Sequence, residues 1–212
     1  MNITTDWKSP QTTGQNTSQG NINWENADNI KVEDGVFSVA DNHSGNHAKD
    51  VAARIIKGDG TIGSSDFSNP NWWDGVLQYA LYEGGLWGET LTPAVVNSAN
   101  FGFALRIGGG YVSTYFLLAK NFGFAIPTDA TIVSVTVKVK RKDAQGAGPG
   151  GTTLAYVDHV ALQIVYSTPE PPLEYNTLPR KDFRTGYNCF LSQYIHNKAI
   201  GKTPWKTPTT LY

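Results

Sequence analysis

Cysteine occurs once, at Cys189, so no disulfide can form within one chain and the fold does not rest on oxidation. Charge is scarce. Asp, Glu, Lys and Arg make up 17% of the residues, against roughly 25% in an ordinary globular domain. The balance is close to neutral, at a net −1, which removes any overall attraction to nucleic acid or to an anionic membrane. No apolar run approaches the roughly 20 residues that cross a bilayer, so no membrane partner is expected. The opening MNITTDWKSPQTTGQNTSQG has no apolar centre, and no secretory signal is expected there. No stretch carries a capped apolar stripe at helical spacing, and no heptad or fibrous repeat marks a long shaft.

Glycine and aromatic side chains are abundant, with 22 glycines and 12% Phe, Trp and Tyr. From Trp24 to Tyr166 the chain reads as short strands separated by turns such as Gly58-Asp59-Gly60. The clearest strand is TIVSVTVKVK, Thr131–Lys140, with Val133, Val135, Val137 and Val139 on one face and Ser134, Thr136, Lys138 and Lys140 on the other. DHVALQIVY repeats the alternation, with Val160, Leu162, Ile164 and Tyr166 inward and His159, Ala161 and Gln163 outward. Between them RKDAQGAGPGGTT reads as a flexible loop. The pattern predicts an all-β protein, an antiparallel β-sandwich or jelly roll.

Three regions follow. Residues 1–22 are polar and predict an N-terminal arm, residues 23–167 a sandwich, and residues 168–212 an extended C-terminal arm opened by the proline-rich STPEPPLEYNTLPRKDF. The last arm is unusual in carrying Tyr175, Phe183, Tyr187, Phe190, Tyr194, Trp205 and Tyr212 among Lys and Arg. Aromatic area of this kind is expected to lie on a partner or on its own domain.

Several segments together resemble a group of virion structural proteins of tailed bacteriophages. They are WKSPQTTGQ (Trp7–Gln15), NWENADNIKVEDGVFSVA (Asn23–Ala40), GGLWGETLTPAVVNSANFGFAL (Gly84–Leu105), FGFAIPTDATIVSVTVKVKRK (Phe122–Lys142) and AYVDHVALQIVY (Ala155–Tyr166). Here the FGFAIP segment follows the GGLWG segment, the reverse of the usual order. The resemblance spans most of Trp7–Tyr166 and implies a jelly-roll-like body, with no catalytic residues to carry over.

The word NFGFA occurs twice, beginning at Asn100 and again at Asn121. Two neighbouring strands are expected, with Phe101 and Phe103, and Phe122 and Phe124, packed in the core. The aromatics of each copy would cover Gly102 or Gly123 of the other. The alternative is an exposed aromatic platform for a ligand.

Chemistry is concentrated in NPNWWDGVLQYALYEGGLWGE. Trp72, Trp73 and Trp87 are candidate glycan-stacking rings, and Asp74, Glu83 and Glu89 supply carboxylates that a glycoside hydrolase would need paired across a cleft. His43 and His47 with Asp41 and Asp50 could hold a metal on a helix, but Gly45 and the asparagines favour a solvated turn. Cys189 and His196 lack the setting of a catalytic pair. IGGG at Ile107–Gly110 and GAGPGG at Gly146–Gly151 lack the Lys-Ser/Thr of a phosphate loop. KVKRK, Lys138 to Lys142, reads as a solvated strand end before a nucleic-acid contact.

The expectation is a non-enzymatic subunit of a phage particle without metal or cofactor, made in the host cytoplasm and destined for the virion as capsid decoration, tail, baseplate or fibre. A homo-oligomer is expected, gripping other virion proteins through Trp7, Pro10, Phe183, Tyr187, Phe190, Tyr194, Trp205 and Tyr212. A carbohydrate-binding module is the alternative, and a glycan hydrolase a more distant one.

Overall fold

The computed structural model of the protein describes residues 1–41, 47–108, 112–145 and 153–170. Residues 1–169 form one compact unit. Among the described residues the strands are β1 (Asn2–Thr4), β2 (Thr12–Asn16), β3 (Ser38–Asp41), β4 (Lys49–Ile56), β5 (Gln78–Glu83), β6 (Gly102–Gly108), β7 (Phe116–Lys120), β8 (Thr131–Gln145) and β9 (Thr153–Ser167). A 3-10 turn at Ala27–Lys31 and one helical turn, α1 (Pro93–Val96), are the helical pieces among them. All strand pairs are antiparallel, and the strands make two sheets. The first runs β1-β9-β8-β5, with β3 also on β9, and the second β2-β7-β6-β4. The protein is an all-β sandwich. Its first strands lie beside its later ones in both sheets, β1 with β9 and β2 with β7, a wrapping seen in jelly rolls. In contrast, β6 with β7 and β8 with β9 pair as sequence neighbours.

The core lies between the sheets. Val135, Val137 and Val139 of β8 and Val160, Leu162 and Ile164 of β9 face Phe103, Leu105 and Ile107 of β6, joined by Trp24, Trp87, Phe101, Phe122 and Phe124. Trp87 packs edge-on to Phe103 at 6.0 Å and donates its indole N–H to the Val135 carbonyl at 2.8 Å. Burying the ring with its one donor satisfied is what makes it a core residue rather than a ligand platform.

Two bulges shift the alternation. Ile132 opposes Tyr166 and Ser134 opposes Val165, so Val133 is an extra residue; it turns outward, 40% exposed, while Ile132 is buried. The sequence reading had Val133 inward. Likewise Lys140 opposes His159 and Arg141 opposes Val157, which leaves Asp158 unopposed on β9. The buried set of β9 therefore switches from Ala155 and Val157 before the bulge to Val160, Leu162 and Ile164 after it. The stretch read as a loop from Arg141 is strand as far as Gln145, with Arg141 and Asp143 buried.

Residues 1–22 are a second correction. They are extended, but they are paired within their own body. β1 pairs with β9, Lys8 exchanges backbone hydrogen bonds with Leu162 at 2.9 Å both ways, and β2 pairs with β7 along Thr12–Asn16. The polar side chains gave no period-2 signal because the pairing is made by main chain. Pro10 is buried where the segment crosses from one sheet to the other, between Lys8 on β9 and Gln11, which donates to the Lys120 carbonyl.

The repeated word resolves differently in its two copies. All four phenylalanines are buried. Gly102 is covered by the Ala119 carbonyl, not by an aromatic, and Gly123 at φ +65° lies against the Gln11 amide beyond the end of β7.

Candidate functional site

Three places gather chemistry. The first is the outer face of the first sheet, where the Asp158 bulge divides the β9 edge. β1 and the backbone as far as Lys8 pair on one side of it, and β3 pairs from Val157 onward on the other. Segments 5–10 and 33–37 meet here. Ser9 Oγ lies 2.8 Å from His159 Nε2, and the Gly35 N–H donates to Asp158 Oδ1 at 2.8 Å. Lys140 reaches Glu33 at 2.8 Å and lies 3.2 Å from Asp158 Oδ2, within ion-pair range but off the hydrogen-bond direction. The Tyr79 hydroxyl also donates to Glu33. The hydrogen bonds from Lys140 and Tyr79 hold the Glu33 carboxyl down at about 2, and partial burial with the Glu33 charge pushes the Tyr79 phenol up to about 12. Burial pushes His159 below its ordinary value, because it disfavours the charged imidazolium.

Serine, histidine and glutamate at one spot invite a comparison with a catalytic triad. The Glu33 carboxylate, however, is turned to Tyr79 and Lys140 and stands 3.9 Å from His159 Nδ1, beyond hydrogen-bond reach. The cluster docks two crossing segments onto the sheet. His159, expected on the wet face, is outward but covered by them. Lys138 lies between the rings of Trp7 at 4.8 Å and Tyr79 at 4.6 Å, and Lys142 lies over Phe37 and Tyr156 at 4.9 and 5.3 Å. The basic run KVKRK is therefore a ladder of lysines against aromatic faces, with Arg141 turned to the interior.

The second place is buried. Asp50 accepts from the Trp73 indole at 2.8 Å, the Tyr82 hydroxyl at 2.9 Å, the Asn69 N–H at 3.0 Å and the Arg141 guanidinium. Arg141 lies 4.5 Å over the Trp73 ring. Burial, with the Asp50 charge, pushes the Tyr82 phenol well up. Two residues along β8, Asp143 Oδ2 accepts from the Ala48 N–H and meets His47 Nδ1, both at 2.9 Å, while Oδ1 has no partner among the described residues. His43 lies outside the described residues, and His47 and Asp50 are committed to different partners. Among the described residues no three His, Cys, Asp or Glu side chains gather to hold an ion.

The third place is β5 itself. Val76, Tyr79, Leu81 and Leu86 are exposed along it and its flanks. The motif LQYALYE hid this, because an edge strand and an inner one read alike.

Of the three candidate glycan rings, Trp72 is 51% exposed with Lys49 4.9 Å over it, whereas Trp73 and Trp87 are core. The structure thus leaves one ring rather than a platform. Asp74 precedes β5 and Glu83 ends it, with the roughly 17 Å of the strand between them, and Glu89 is turned to the Ser64 N–H. Trp7 is half-buried against Lys138 and Pro10 is buried, so both anchor within their own chain. Phe183, Tyr187, Phe190, Tyr194, Trp205 and Tyr212 lie outside the described residues. Ser9, Glu33 and Asp158 were missed, while Asp50, weighed as a metal ligand, and Arg141, read as part of a solvated basic run, form a buried pair instead; the sequence signal that could have helped was Asp158-His159 at the head of an alternating apolar strand. Among the described residues no helix is long and apolar enough to cross a membrane.

No family model, no curated protein and no solved structure matches the chain.

Proposed function

We propose that the protein is a structural, non-enzymatic subunit of a tailed-phage particle, as capsid decoration, tail, baseplate or fibre component, and that residues 170–212 bind its neighbours. The observation that carries this reading is the closure of residues 1–169 as a compact unit in which the N-terminal strands are already spent on β7 and β9. The remaining segment is basic and aromatic. It holds Arg180, Lys181, Arg184, Lys198, Lys202 and Lys206 against Glu170, Glu174 and Asp182, on a chain whose overall charge is −1. A positive segment with ring anchors suits acidic or apolar ledges on other subunits, and each extended ligand of this kind adds avidity within a particle. The resemblance of Trp7–Tyr166 to virion structural proteins points the same way.

Deleting residues 170–212 tests the reading. The shortened chain is expected to keep the far-ultraviolet circular dichroism and melting of the parent but to be missing from purified particles. A shortened chain that enters particles as the parent does would overturn it.

A further inference from the structure

We propose that β5 is a self-association edge that pairs, two-fold, with β5 of a second copy about Leu81. β5 bonds β8 on one side, and on its other side no backbone partner exists among the described residues. The other edges of four residues or more are covered among the described residues. The far side of β4 receives N–H bonds from Gly63, Phe67 and Trp73, at 2.8, 2.9 and 2.6 Å to Ile55, Ala53 and Ala48. β3 exchanges bonds with Glu25 at 2.7 and 3.1 Å, and the Gln15 side chain of β2 is tied to both backbone groups of Trp24. A bare six-residue edge with outward apolar side chains is a template for another strand.

The strand's own order selects the occupant. Residues directly opposed in an antiparallel pair point to the same side. On β5 the outward set is Tyr79, Leu81 and Glu83, and the inward set Ala80 and Tyr82. Keeping both faces continuous requires outward residues to oppose outward residues. Centring on Leu81 does this: Leu81 opposes Leu81, Tyr79 opposes Glu83, and Ala80 opposes Tyr82. The outer row gains an apolar pair, and the inner row sets a small residue against a large one.

Charge agrees. Glu83 has no cationic partner among the described residues, and Lys138, opposite Leu81, has two rings but no carboxylate. The pairing brings Glu83 of one copy beside Tyr79 of the other, whose ring is 4.6 Å from Lys138 Nζ, and does so twice. Such an interface falls below about 1,200 Å2, in the weak class that becomes effective when copies are held close.

The test uses the full chain. Sedimentation velocity over a concentration series is expected to show a reversible monomer–dimer equilibrium. Leu81→Glu leaves the monomer sound, since the new carboxylate faces Lys138, but sets like charges across the axis; dimerisation should weaken on the order of tenfold or more. In a Cys189→Ser background, Leu81→Cys oxidised with copper phenanthroline should give a covalent dimer, and Tyr79→Cys far less, because Tyr79 does not meet its own copy. A chain monomeric throughout the series, association unchanged by Leu81→Glu, or equal cross-linking at both positions would each overturn the proposal. Association that survives Leu81→Glu but vanishes on removal of residues 170–212 would overturn it in favour of the C-terminal segment, leaving the proposed function intact.

Discussion

The two glycines of the repeated NFGFA word should fail for different reasons and by different amounts. A Cβ at Gly102 would lie 2.0 Å from the Ala119 carbonyl oxygen and 2.9 Å from Lys120 Cα. Both are main chain of β7, and that strand is held to β6 by the register Gly102 with Lys120 and Phe103 with Ala119. Neither can retreat without opening the ladder that sets Phe101 and Phe103 in the core. Overpacking of a core costs about 1–3 kcal/mol and occasionally more, and a contact between backbone atoms belongs at the upper end. Gly102→Ala should therefore lose about 3 kcal/mol. For a body of this size that lowers the melting temperature by about 6–12 °C. Gly123 meets only the Gln11 amide nitrogen at 3.0 Å, the far end of a side chain that can swing away. Its constraint is φ +65°, which costs a residue with a Cβ about 1–2 kcal/mol. Urea titration followed by tryptophan fluorescence measures both. A Gly102→Ala variant within about 1 kcal/mol of the parent, or less damaged than Gly123→Ala, would refute the close-approach argument.

Arg141→Met should destabilise by about 3–5 kcal/mol, because Asp50 stays buried without its cation; equilibrium unfolding reads the loss. Trp73→Phe should cost about 1–3 kcal/mol through the lost donor to Asp50, whereas Trp72→Ala should stay within about 1 kcal/mol, so the adjacent tryptophans separate cleanly in melting temperature. Glu33, held at about 2 from an ordinary 4.5, contributes stability that is complete above pH 4.5 and lost as pH falls toward 2. At 42% side-chain exposure that contribution is at most about 1 kcal/mol, and Glu33→Gln should flatten the acid limb of stability between those pH values.

The legible part of the fold was the part written in side-chain alternation. Val135, Val137 and Val139, and Val160, Leu162 and Ile164, show period two because one face of each strand is buried and the other is not. A bulge leaves no such mark. Val133 and Asp158 each insert one residue, and reading straight through the first puts Val133 inside; β8 is ended early, before Arg141 and Asp143, because the glycines and proline that follow read as a loop. Trp72 and Trp73 could not be told apart because neighbours on an extended chain face opposite ways, and the face depends on the Trp73 N–H reaching Ala48 across the fold. The buried Asp50–Arg141 pair joins positions far apart in sequence, with nothing local to announce it.

The N-terminal segment shows why polar composition misled in one direction only. Thr, Gly, Gln and Asn cannot build a core, so residues 1–22 were expected to have none of their own. But a strand at a sheet edge needs a core only beneath it, and its pairing is main-chain hydrogen bonding open to any residue except proline. Edges β7 and β9 supplied the acceptors and donors, and Pro10 falls at the crossing, where no ladder bond is due. The same logic, turned around, makes β5 the informative strand. It has the side chains of a covered edge, with Leu81 56% exposed, and among the described residues it has no cover. Water can satisfy its backbone but gains nothing from Leu81 and Val76, and that imbalance is what a second β5 would remove.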